Sequence, residues 1–284
     1  MNGSKTPAIA QTTPRLVPAV ERATRVLDLL SKSEQPLSLA EIARALSLPR
    51  SSLHGLMTTL VHLDLARRDH DACFRSGARP LQWAGAWNGQ AVVVASFQKQ
   101  AQALSALASE TVMLAALDGT DVVYLSCRPG QRALEINFRV GGRLPATIAS
   151  SGKAMLATQS DAQVRDSLAG HRFERVTRHS VGSLGALLKQ LRQCRATGLA
   201  VDDEEAAQGM LCLGAAIQGS LQAPDRKESD PGMAPARHAV AVSVIKAGLS
   251  ARRRRELEHG VKSLASAITN ELRTQTFAQS SGNR

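Results

Sequence analysis

The chain has 284 residues, enough for two modest domains, and 43% of them are hydrophobic, which supplies material for packed cores and excludes a disordered composition. The formal net charge of +11 favours an anionic partner, DNA being the commonest. The excess is spread along the chain, with 11 basic and 7 acidic groups in residues 1–79 and 24 and 17 in 80–284, so charge alone argues weakly for nucleic acid.

No apolar run reaches the length of about 18 residues that a membrane span needs. The polar stretch Met1 to Pro14 lacks the apolar core of a secretory signal, so a cytoplasmic protein is expected. Cys73, Cys127, Cys194 and Cys212 lie far apart, and the histidines form no metal-binding spacing. Reduced thiols, no metal site and no cofactor are the expectation.

Residues 1–15 read as a loose tail. From Pro18 onward Val20, Ala23, Leu27 and Leu30 repeat at helical steps, and Ser33 to Pro36 ends the helix. Ser38-Leu39-Ala40-Glu41 has the form of a capping box opening a second helix, with Leu39, Ile42, Ala43 and Leu46 as its buried stripe. After a break at Ser47-Leu48, Pro49 suits the first turn of a third helix carrying Leu53, Leu56, Leu60 and Leu63. Leu65 to Arg68 and Cys73 to Arg75 flank a polar turn and read as a two-stranded wing. Three short helices and a basic hairpin make residues 16–78 a winged helix-turn-helix.

Residues 79–98 hold Trp83 and Trp87 and read as a linker helix, with ordinary core aromatics as the competing explanation. Residues 99–273 mix helices and strands. Gln98 to Ser109 reads as helix. Val112–Leu117 and Val122–Cys127 are strands around an Asp-Gly-Thr-Asp turn. Further strands are expected at Leu134–Phe138, Leu199–Val201, Leu211–Ile217 and Ala239–Ile245. Helices are expected near 152–158 and 161–169, from the Ser183 cap to Gly198, and from Ser250 to about Arg273. Residues 222–237 read as a mobile loop, and 274–284 as a second tail.

Four blocks in order resemble the isocitrate-lyase-regulator (IclR) family of bacterial transcription regulators. They are Val17-Pro18-Ala19-Val20-Glu21-Arg22-Ala23, then Leu39 to Ala43 with Leu48 to His54, then Leu144-Pro145 with Gly152 to Ala157, and Gly198 to Glu205 with Gly209 and Cys212. The resemblance spans about residues 16 to 273. It implies an α+β chain: a winged helix-turn-helix, a linker helix, and a GAF-like domain that binds an effector and joins subunits. It departs from the family pattern in four places. Ala72 stands in the wing turn where Gly is usual, the sensor domain is about two residues short between Glu110 and Thr111, the 222–237 loop is long, and Ile245 stands where a second serine is often found.

At the DNA end, the start of the third helix enters the major groove of a double-stranded operator, which assigns Arg50, Ser51, Ser52, His54 and Thr58 to contacts. An arginine there can grip guanine with two hydrogen bonds. Arg67, Arg68 and Arg75 on the wing would meet phosphate or minor groove. A homodimer or tetramer is implied. At the sensor end, the resemblance assigns the effector to Ser150, Ser151, Gly152, Asp202, Cys212 and Ser243. The free N–H groups at a helix start favour a carboxylate, so a small organic acid is expected. The other acidic residues of 202–205 read as a solvated turn. Two alternatives stay open: a DNA-binding oligomer with a vestigial pocket, and, remotely, a serine hydrolase, because Ser150-Ser151-Gly152-Lys153 fits S-x-x-K.

Overall fold

The computed structural model describes residues 16–89, 92–131, 138–218 and 234–281. The expected tail 1–15, nearly all of the strand expected at Leu134–Phe138, and residues 222–233 of the expected loop lie outside them. The chain divides into two compact units between Gln90 and Ala91.

In the first unit, α1 (Pro18–Lys32) begins with proline in its first turn, where a missing N–H costs nothing. α2 (Leu39–Leu46) opens with the capping box: Ser38 Oγ accepts from Glu41 N at 3.3 Å, and Glu41 Oε2 accepts from Ser38 N at 2.8 Å. It ends on Ser47 in the left-handed region. α3 (Arg50–His62) follows, with Pro49 as its extended N-cap rather than part of its first turn. β1 (Ala66–Arg68) and β2 (Phe74–Ser76) pair antiparallel as the wing, and Leu37 adds a reciprocal backbone pair with Phe74.

The core of this unit is Val26, Leu30, Ile42, Leu53, Met57, Leu60, Ala66 and Phe74. The expected stripe of α3 needs correcting. Met57 is buried with Leu53 and Leu60, whereas Leu56 is half-buried and Leu63 lies exposed at the helix end. Steps of four and three from Leu53 reach 57 and 60 on one face, and residue 56 is turned about 100° from 57.

α4 (Arg79–Gly89) belongs to the first unit, and α5 (Val92–Ala103) to the second. The span expected as one linker helix therefore starts in one unit and ends in the core of the other, where Val93, Val94, Phe97 and Ala101 are buried. Trp83 is not a core aromatic: it is 57% exposed. The helix expected to run on to Ser109 stops at Ala103 and gives way to a single 3-10 turn, Ser105–Leu107.

The second unit is built on a six-stranded antiparallel sheet. Its strands are β3 (Thr111–Asp118), β4 (Asp121–Arg128), β5 (Arg143–Pro145), β6 (Ala200–Asp203), β7 (Met210–Ile217) and β8 (His238–Ile245). Their order is β5-β4-β3-β8-β7-β6. Alternation sends Val112, Leu114, Val240, Val242, Leu211 and Leu213 to one face, against α5 and α9 (Ala251–Ser281). Met113, Ala115, Ala239 and Ala241 go to the other face, against α6 (Ser150–Leu156) and α8 (Leu184–Thr197), with α7 (Asp161–Ser167) beyond. α8 starts on the Ser183 cap and stops at Gly198, whose φ of 70° suits glycine. α9 continues to Ser281 through residues read as a tail, because no Gly or Pro interrupts 261–281.

Candidate functional site

Two surfaces collect the expected residues. In the first unit, burial of Leu53, Met57 and Leu60 turns the opposite side of α3 to solvent, so Arg50, Ser51, Ser52, His54 and Thr58 are all exposed. They divide between two depressions. Arg50, His54 and Thr58 stack at four-residue steps along a groove of about 480 Å³ whose far wall is Arg68, Ala72 and Phe74 of the wing. Ser51 and Ser52 line a second depression with Gly55, Thr59 and, from α1, Ala19 and Arg22.

The wing arginines divide as well. Arg67 and Arg75 are direct cross-strand partners and so point to one face. Two adjacent like charges repel, and Asp69 offsets this by pairing with Arg75 at 3.3 Å. Arg68 faces the other way, its guanidinium 5.8 Å from the Phe74 ring centre, and thereby joins the groove of Arg50 and His54.

In the second unit, sheet register does what sequence spacing could not show. Thr111 pairs with Ser243, Ser243 with Cys212, and Cys212 with Asp202, so four adjacent strands carry one polar side chain each in a single row. Cys212 Sγ and Ser243 Oγ are 2.9 Å apart. Above this end of the sheet lies a cavity of about 150 Å³. Its polar lining is Ser150 and Ser151 from the start of α6, Asp202, Cys212 and Ser243. Its apolar lining includes Met113, Tyr124, Phe138, Leu144 and Met210. Tyr124 and Phe138 meet edge to face, 5.3 Å between ring centres.

Of the six expected effector residues, the cavity gathers five. Gly152 is not among its walls. It is glycine because α6 lies against the turn before it: a Cβ there would come within 2.4 Å of the Ala146 backbone. Gly214 plays the same part from the sheet, where a Cβ would meet the Ser150 backbone at 2.6 Å. The two glycines let α6 approach the sheet closely.

Asp202 is 2% exposed, and its Oδ1 accepts from the backbone N–H of Glu205 (2.7 Å) and Ala206 (3.2 Å). Burial pushes its carboxyl up to about 6, against the lowering pull of Lys153 and those N–H donors. Burial also raises the Cys212 thiol and the Tyr124 phenol well above their usual ranges, so both are neutral donors at ordinary pH.

The acidic run is a solvated turn only in part: Asp203 is exposed and pairs with Lys246, as does Glu204, but Glu205 departs from that expectation. Glu205 is buried and pairs with Lys153 at 2.6 Å, and Lys153 Nζ also donates to Val201 O and Gln190 Oε1. Three donor bonds, none of them to Ser150, occupy the ammonium group. The S-x-x-K pattern therefore has no base at its serine in this geometry. Among the described residues, no group of His, Cys, Asp and Glu could hold a metal ion, and no helix is long and apolar enough to cross a membrane.

A winged helix-turn-helix joined to a helix-covered antiparallel sheet with a small cavity at one end defines a transcription regulator with an effector-type domain. The chain belongs to the IclR family. Residues 19–70 match the IclR helix-turn-helix domain, and 89–224 match the C-terminal domain of the bacterial transcriptional regulator IclR. The crystal structure of the Agobacterium tumefaciens repressor BlcR is 33% identical, with 90% of this chain and 97% of that one covered, at a TM-score of 0.55. The Escherichia coli regulator XynR is 29% identical over 199 residues, 70% of this chain and 79% of its own. An IclR homologue from Microbacterium hydrocarbonoxydans, solved as a complex with 4-hydroxybenzoate, shares the fold. It has a TM-score of 0.68 and 22% identity, with 90% and 99% of the chains covered.

Proposed function

We propose that this regulator binds a double-stranded operator through α3 and the wing, as a homodimer or a pair of dimers, and that a small organic acid in the sheet-end cavity changes that binding. The observation that carries the DNA half is the grouping of Arg50, His54 and Thr58 with Arg68 in one exposed groove. Long basic and short hydroxylated side chains at the start of a recognition helix suit base edges and flanking phosphates. Each such unit makes few phosphate contacts, so two symmetry-related units are needed for useful affinity at physiological salt.

The effector half rests on the chemistry of the cavity. Its volume of about 150 Å³ is on the scale of a ligand with a single ring. Apolar walls suit a ring or branched chain, Ser150 and Ser151 at the helix start suit a carboxylate, and Asp202 suits a ligand hydroxyl. The 4-hydroxybenzoate complex of the Microbacterium homologue agrees with a monocyclic acid of this kind.

The test is to select duplexes from a randomised pool with the full-length protein, then titrate the winner with and without monocyclic hydroxy acids while following thermal stability. The reading expects one enriched duplex family and an acid that both stabilises the protein and shifts its DNA affinity. Enrichment with no stabilising acid favours the vestigial-pocket alternative, and no enrichment rejects the DNA half.

A further inference from the structure

Gly55 sits in the middle of α3, on its exposed side, with nothing of this chain within 4 Å of where a Cβ would stand. Glycine is the worst residue after proline for an exposed helix interior, so its place there needs a reason. The other glycines whose surroundings are described supply theirs internally. Some, such as Gly119 and Gly198, have a positive φ, and others, such as Gly77, Gly152, Gly214 and Gly260, have a neighbour within 3.0 Å of a Cβ. The exception besides Gly55 is Gly185, which lies in the first turn of α8, where helix propensity matters least. Gly55 has no such reason inside its own unit.

The residues one turn from Gly55 on the exposed face of α3 and in its depression share one property. Ser51, Ser52 and Thr59, beside it in the same depression, are short, while the long side chains Arg50 and His54 lie toward the wing. The exposed face of α3 is therefore low at its centre and tall along one margin.

We infer that Gly55 is the point of closest approach between the α3 backbone and the floor of the DNA major groove, and that the missing side chain lets the helix sink far enough for Arg50 and His54 to reach base edges. This rests on the DNA-binding reading above and deepens it: Gly55 sets specificity through fit, not through a hydrogen bond. The depression of about 370 Å³ next to it, with Arg22 on its α1 side, then receives the flanking sugar-phosphate strand.

The experiment compares full-length wild type, Gly55→Ala, Gly55→Leu and Arg50→Ala on the duplex that wild type selects from a randomised pool, with thermal melting of each protein. Alanine is the better helix former and meets no steric obstacle within the chain. Gly55→Ala is therefore expected to raise the melting temperature by a few degrees while weakening DNA binding. Gly55→Leu is expected to fold as well and to lose on the order of a hundredfold in affinity, the scale of a lost base contact or more.

Higher stability together with weaker binding is a pairing that a merely structural glycine does not give. Lower stability of Gly55→Ala assigns the glycine an internal role and overturns the inference. Wild-type affinity of both Gly55 variants, with Arg50→Ala weakened, overturns it while leaving the DNA reading intact. Wild-type affinity of all three overturns both.

Discussion

Lys153 Nζ and Glu205 Oε1 lie 2.6 Å apart with side chains only 2% and 5% exposed, a buried ion pair directly behind the cavity wall. Three residues before Lys153, Ser150 faces the cavity, and one residue after Glu205, Ala206 does the same. Glu205 also accepts from Gln190 Nε2 and Val181 N, its carbonyl takes the hydroxyl of Ser180, and the Thr177 hydroxyl donates to the neighbouring Glu204 carbonyl. The pair thus ties α6, α8 and the 202–207 turn into one block.

Removing one member leaves an uncompensated buried charge, so Lys153→Met is expected to cost about 3–5 kcal/mol in a urea titration. Combining it with Glu205→Leu is expected to lose clearly less than the sum of the two single changes. Additive losses in that double-mutant cycle would mean the pair is not coupled.

Asp202 gives a pH dependence with a definite sign. Its carboxyl is raised to about 6 in the fold, so between the ordinary carboxylate range and that value the folded state holds a proton that the unfolded state has released. Stability associated with this proton is complete below the unfolded pKa and declines as pH rises through about 6. Asp202→Asn keeps an acceptor for the Glu205 and Ala206 N–H groups and is expected to flatten that decline, read as melting temperature against pH from 4 to 8. A carboxylate ligand in the same cavity is expected to bind more tightly at pH 5.5 than at pH 7.5, because ionised Asp202 repels it.

Gly152 and Gly214 make a packing prediction. Either changed to alanine forces a Cβ against backbone that cannot swing aside, at 2.4 Å from Ala146 or 2.6 Å from Ser150. A destabilisation of about 3 kcal/mol is expected for each in chemical denaturation. A loss below about 1 kcal/mol would show that α6 can retreat from the sheet at little cost.

Ala72 occupies the left-handed region at φ 60°, in the wing turn that Asp69 closes by accepting from Cys73 N. A side chain there is strained, so Ala72→Gly is expected to stabilise the first unit by about 1 kcal/mol in a denaturant titration of the full chain. Destabilisation would mean that the turn is held open by something other than its backbone.

The helix-turn-helix was legible because its signals are local. The Ser38–Glu41 capping box, the break at Ser47 and the turn at Asp69 are each decided within a few residues, and periodicity alone exposes Arg50, His54 and Thr58. The division of the wing was legible only in part: strand alternation separates Arg67 from Arg68, but which of them turns toward α3, and that Arg75 lies opposite Arg67, depends on how the two strands pair and pack. The cavity row was legible only in part. Asp202, Cys212 and Ser243 were expected from resemblance, but that they pair across adjacent strands, with Thr111 beyond them, follows from sheet order. Lys153 and Glu205 were missed because a Lys and a Glu 52 positions apart look like surface residues until the fold brings them together. Gly152 was assigned to the effector, and its packing role, like that of Gly214 on the facing strand, follows only from the close contact of α6 with the sheet.

The central claim is that the exposed face of α3 reads DNA, and it is tested most directly by titrating the selected duplex with wild type and with Arg50→Ala, folding being checked by circular dichroism. The account predicts an unchanged spectrum and an affinity weakened on the order of tenfold or more, with the discrimination against one base position relaxed. Equal affinity of the two proteins for that duplex, with equal discrimination at every position, would contradict it.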